Sequence, residues 1–189
     1  IAVSVASGPA LAWWRGYLER EGIDVQGPFD DHGFPTIRFH DPDGLILELS
    51  APQGEDVPEG APALWAEGLA IGPLHHVAIF ATNRDTALAY YRDLLGFDVL
   101  TEAPNVDDPS RSDIVFGMNA DGSQRLIVTI VERDAMGRAH EGVGQTHHIA
   151  FSVADDPVEL AWQERVGVAG VQVTEVRDRQ YFHSIYFHD

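Results

Sequence analysis

Two histidine pairs, His75-His76 and His147-His148, stand 72 residues apart, and each opens the same short motif, His-His-(Val/Ile)-Ala. Imidazole can bind a metal or carry a proton near neutral pH. A single pair reads most simply as polar residues at a strand end, but two pairs at matching places point to shared chemistry. Strand alternation would send the two members of each pair to opposite faces. The chain has no cysteine, which excludes a thiolate metal site, a thiol nucleophile and a disulfide framework. Glu48 lies where an expected hairpin places it opposite Arg38, and a cross-strand ion pair is the simpler account of those two.

Composition narrows the classes. The 189 residues carry 30 acidic against 12 basic side chains, a formal charge of −18. A polyanion would be repelled, so nucleic acid is not an expected partner. All 12 basic residues are arginine, as a high-GC genome or a salt-adapted cytoplasm would produce. No run approaches the roughly 18 apolar residues of a membrane span, and no basic segment followed by an apolar stretch opens the chain. The expectation is a cytoplasmic protein with no membrane partner.

The histidine pairs belong to a repeat. Residues 1–41 match residues 149–189 at a constant offset of 148, with 15 of 41 positions identical. A weaker match at offset 72 joins His75–Ala78 to His147–Ala150. Three related units therefore begin near residues 1, 74 and 147. Each opens with a short apolar run suited to a buried strand (Ile1–Val5, Val77–Ala81, Ile149–Val153). A helix follows; in the middle unit Leu88, Tyr91, Leu94 and Leu95 line one face, Asn83 or Asp85 caps the start and Gly96 ends it. Asp155 or Asp156 before Pro157 plays the same part in the third unit. Alternating strands complete each module, Asp41-Pro42-Asp43-Gly44 making a tight turn. The expected fold class is α+β, with repeated βαβββ modules pairing into open cup-shaped sheets. Residues 1–50 are read as the second half of an N-terminal domain, 51–73 as a Pro/Gly-rich linker, and 74–189 as a two-module domain. Both ends read as cut: the counterpart of Glu48 would lie seven residues past Asp189.

Gly144-Gln145-Thr146-His147-His148-Ile149-Ala150-Phe151 and Asp178–Phe187 give the chain a closer identity. It resembles the vicinal-oxygen-chelate (glyoxalase/bleomycin resistance/extradiol dioxygenase) superfamily, and within it the hydroquinone-type ring-cleaving dioxygenases. The resemblance implies a facial site of two histidines and one carboxylate holding Fe(II), with Mn(II) or another divalent metal as substitutes. Carried over by position, His148 and His76 are the metal ligands, although in hydroquinone-cleaving relatives the second ligand comes from a module preceding residue 1. His75 and His147 then point away by alternation. Tyr186 and His147 are implied as proton donors or acceptors, and Arg179 as a partner for an ionised phenolate. The implied partners are a small dihydroxylated aromatic and dioxygen, with a homo-oligomer left open.

Two other functions share the fold. A glyoxalase-like isomerase or lyase would bring a second glutamate to the metal, and a bleomycin-resistance-like binder would hold a small molecule in a metal-free cup. His40 and His188 recur before a turn and are read as structural. Trp13, Trp14 and Trp162 are read as helix-to-sheet packing.

Overall fold

The computed structural model describes residues 1–52, 68–119, 121–132, 142, 144 and 146–188. Most of the expected linker, 53–67, lies outside the described residues. The chain divides into two compact units, one of residues 1–84 and 97–147, the other of residues 85–96 and 148–189.

The first module follows directly from its local sequence. Strand β1 (Ala2–Val5) leads into helix α1 (Gly8–Arg20). The Ser7 side chain caps the helix by accepting the Ala10 N–H at 3.3 Å, and Pro9 sits in the first turn, where a missing N–H costs nothing. Leu11, Trp14 and Leu18 recur at helical spacing, and all are buried against β1 and the strands beyond it. Gly22, at φ +82°, reverses the chain in the left-handed region, and the Ile23 N–H returns to the Leu18 carbonyl at 3.0 Å. Strands β2 (Gln26–Asp31), β3 (Phe34–His40) and β4 (Ile46–Ser50) follow as antiparallel neighbours.

The middle module repeats the plan. Strand β5 (Ile71–Ala81) precedes α2 (Arg84–Ala87), which widens into a π-type turn over Leu88–Leu94, the Leu95 N–H reaching back to the Tyr90 carbonyl at 3.0 Å. Ala87, Leu88, Tyr91 and Leu95 are its buried residues. Strands β6 (Asp98–Pro104), β7 (Ser112–Gly117) and β8 (Arg125–Ile130) complete the module. Ile114, Phe116, Leu126 and Val128 are fully buried.

One sheet contains both modules, in the order β2-β3-β4-β1-β5-β8-β7-β6. The join is the antiparallel pair β1–β5, with Ala2 opposite His76 and Val5 opposite Ile71. The sequence reading set residues 1–50 apart and paired the middle module with the third. In the structure β1 and β5 complete each other's backbone hydrogen bonds and so bring strands of residues 1–50 and of the middle module into one sheet, while residues 85–96 of the middle module fall in the same unit as the third. The sheet also curls. His32 lies in the turn between β2 and β3 and Asp113 in β7, at least five strand spacings apart, which on a flat sheet would be about 24 Å. Their side chains meet at 2.9 Å, so the sheet closes into an open cup with these residues inside.

In the other unit, helix α3 (Asp156–Val168) reproduces α1 at the same offset of 148. Asp155 replaces Ser7 as cap, accepting the Val158 N–H at 3.0 Å, and the Val171 N–H returns to Val166 as Ile23 does to Leu18. The short hairpin β9 (Arg177–Asp178) and β10 (His183–Ser184) matches β2–β3, and its turn residue Gln180 has positive φ at the position of His32. Ile149–Val153, expected as a strand, makes no ladder among the described residues. In the first module the equivalent strand is held between β4 and β5.

These contacts set the expected stability changes. Ile37→Ala empties a fully buried position and should cost about 2–5 kcal/mol, whereas Ser7→Ala removes only a cap and should cost about 1 kcal/mol. Urea unfolding of the two variants measures both.

Candidate functional site

The cup interior is charged. His76 on β5 is 1% exposed, and its Nε2 lies 3.0 Å from Glu48 Oε2 on β4 and 3.5 Å from Asp31 Oδ2 at the end of β2. Glu48 stands opposite Arg38 in the β3–β4 register and accepts from its Nε at 2.7 Å, the cross-strand pair expected from the hairpin. Arg38 also donates from Nη1 to Asp107 at 2.7 Å. Further round the cup, His32 Nε2 meets Asp113 Oδ2 at 2.9 Å, and the Asn105 amide donates to both oxygens of Asp113. Two residues of β2–β3 thereby reach two acids on or before β7.

His75 departs from simple alternation. The β1–β5 register shifts between Ala2 and Val3, an irregularity that leaves His75 between paired residues and lets neighbouring side chains turn to one side. His75 is buried; its Nδ1 lies 2.9 Å from that of His76, and its ring packs edge-on against Phe34. Alternation would set His75 on the face opposite His76; in the structure both imidazoles are buried and their Nδ1 atoms are adjacent.

Burial and neighbouring charges set the protonation states. Burial works to raise the Glu48 pKa, but the hydrogen bond to His76 and the Arg38 charge overcome it and hold the carboxyl at about 2. Burial, reinforced by the charges of His76 and Arg125, depresses His75 to about 3, so it is neutral at pH 7. Burial raises Asp31. The bond to Asp113 raises His32.

Asp31, Glu48 and His76 bring their ligand atoms within 4.8 Å of one another. One imidazole and two carboxylates suit a divalent cation, so this is a candidate metal site. It differs from the expected set in offering two carboxylates and a single histidine, and Arg38 already balances Glu48. Asp31 was not foreseen as a partner of His76. Its signal was available: at offset 148 it is the counterpart of Arg179.

The third module carries the other expected residues. Tyr186 accepts from Arg179 Nη2 at 3.1 Å, and the guanidinium groups of Arg179 and Arg177 lie 5.3 and 5.5 Å from its ring centre. The His148 ring stands edge-on to Tyr186, centroids 6.3 Å apart. The Ser184 hydroxyl, then Arg179 and the nearby positive charges, lower the Tyr186 pKa. His147 and His148 are both exposed. The structure thus groups His148, Arg179 and Tyr186 in one unit and His76 with Glu48 and Asp31 in the other. His148 belongs to no cluster of three such ligands among the described residues.

The model of the Glyoxalase/Bleomycin resistance protein/Dioxygenase superfamily matches residues 73–189. The chain is 29% identical over 95% of its length to the Bacillus subtilis protein named "Putative ring-cleaving dioxygenase MhqO", covering 54% of that protein. It is 28% identical over 93% of its length to the chlorohydroquinone/hydroquinone 1,2-dioxygenase of Sphingobium indicum, again covering 54%. A crystal structure of a Bacillus subtilis protein described as a "putative dioxygenase" superposes with a TM-score of 0.77 at 25% identity, over 98% of this chain and 57% of that one. The chain spans about half the length of these relatives.

The buried network fixes an acid response. Glu48 is held below its ordinary 4.5, so its contribution is full above pH 4.5 and is lost as pH falls toward 2. His75 is held below 6.5, so the folded state resists a proton that the unfolded chain accepts, and stability drops as pH falls below 6.5 toward 3. Unfolding free energy should therefore decline by about 2–3 kcal/mol between pH 6.5 and 4.5 and by roughly twice that below pH 4.5, where both groups titrate. His75→Gln should flatten the decline between pH 6.5 and 4.5, and Glu48→Gln should make the part below 4.5 shallower, in denaturant titrations across pH.

Proposed function

Because the chain belongs to the glyoxalase/bleomycin resistance protein/dioxygenase superfamily, we propose that it forms part of a metal-dependent dioxygenase that opens a dihydroxylated aromatic ring of the hydroquinone type. The observation that carries this reading is the grouping of His148, Arg179 and Tyr186, in which an ionisable phenol, a guanidinium bonded to it and an exposed imidazole share one small unit. The names of the matched relatives support the same chemistry.

His148 would be one metal ligand, and Fe(II), when bound, supplies the one-electron chemistry and the template that a ring and dioxygen require. The protein's own part is orientation and proton transfer. With its pKa lowered, Tyr186 can exchange a proton with a ring hydroxyl. Arg179 fixes the Tyr186 hydroxyl and favours an ionised phenolate beside it. The partners on this reading are a small aromatic and dioxygen.

A second reading rests on Asp31, Glu48 and His76. A carboxylate-rich set fits an isomerase or lyase of the glyoxalase kind, with the cation in the cup. Metal analysis and oxygen uptake separate the two. On the dioxygenase reading, the iron-loaded protein consumes oxygen with hydroquinone, His148→Ala abolishes that uptake, Glu48→Gln retains it, and Tyr186→Phe lowers kcat about 10²–10⁴-fold. Loss of bound metal in Glu48→Gln with no change in His148→Ala would move the site to the cup.

A further inference from the structure

Building on the ring-cleaving reading, we propose that Arg177 and Arg179 form an anion subsite beside Tyr186, and that the preferred substrate is a dihydroxylated ring bearing a carboxylate. Arg177 opens β9 and Arg179 follows it directly, at the turn that leads to Gln180. Both guanidinium groups approach one ring, at 5.5 and 5.3 Å from its centre, and Arg179 also bonds its hydroxyl. Asp178, between them, turns its carboxylate to the Gln180 N–H at 2.8 Å and neutralises neither.

Arg15, Arg38, Arg84, Arg92 and Arg111 each sit within 3.0 Å of a carboxylate. Among the described residues, Arg177 and Arg179 have no such ion pair, nor do Arg20, Arg125 and Arg165, but of these five only Arg177 and Arg179 approach the same ring. Two guanidinium charges gathered about one phenol ring favour an anion bound beside it. The hairpin itself does not demand them: the repeat positions in the first module are Phe29 and Asp31, one apolar and one acidic. The positive charge therefore belongs to this site and not to the module. A guanidinium presents paired donors that match a carboxylate in two parallel hydrogen bonds, and the adjacent phenol ring offers a surface for the substrate's own ring.

The test compares hydroquinone with 2,5-dihydroxybenzoate, which adds one carboxylate to the same ring, using calorimetric binding to the purified protein. The expected result is about tenfold tighter binding of the carboxylated ring. Arg177→Gln should bring the ratio of the two affinities close to one, and Arg177→Lys, which keeps the charge, should hold it in between. Arg177 is exposed, so its variants should fold, which circular dichroism checks. No preference in the native protein, or a preference untouched by Arg177→Gln, overturns the proposal, as does the absence of measurable binding of either compound. Oxygen uptake separates this from the broader reading. An Arg177-dependent preference without ring cleavage supports the subsite while removing the dioxygenase reading, and ring cleavage without the preference does the reverse.

Discussion

The closure of the cup depends on charges that meet across it. Backbone ladders specify which strands are neighbours, but neighbours alone permit a flat sheet. His32 with Asp113 and Arg38 with Asp107 join the β2–β3 side to residues on or just before β7. These ties hold only while the sheet is curled. Once it is curled, Glu48, Asp31 and His76 are enclosed and must satisfy one another. A buried ion pair gains little over apolar packing but is costly to break, so this network acts as a constraint on geometry more than as a source of stability.

That constraint accounts for the protonation pattern. In a low-dielectric interior an ion survives only beside its opposite. Glu48 has two partners and stays ionised; His75 has Arg125 and His76 for neighbours and stays neutral. The same group of donors could receive a divalent cation, and Arg38 already supplies one positive charge to it. The third module fills the equivalent positions differently, with Tyr186 for Arg38 and Arg179 for Asp31. One repeated hairpin thus carries a closed salt network in one module and an open phenol flanked by two guanidinium groups in another.

Much of this was legible in the residues. The offset of 148 implied two copies of one module, and α1 and α3 begin, cap and end at matching residues because capping and helix termination are local. The Arg38–Glu48 pair followed from hairpin register, which is also local. His76 was singled out by its repeat, but its partners Asp31 and Glu48 come from strands 28 and more residues away, and only the curled sheet brings them to it. The inward turn of His75 required a break in the β1–β5 register, an irregularity that the alternation rule cannot anticipate.

By itself the sequence determined the module, its copy number, its helices and turns, and the residue types able to do chemistry, since each depends on contacts within a few residues or on identity between copies. Which modules share a sheet was decided only by the tertiary structure. Every first strand has similar apolar residues, so β1 could in principle pair with any of them, and only the accumulated ladders and the charges closing the cup select β5. The grouping of His76 with two carboxylates, and of two arginines about one tyrosine, depends on those same long-range choices.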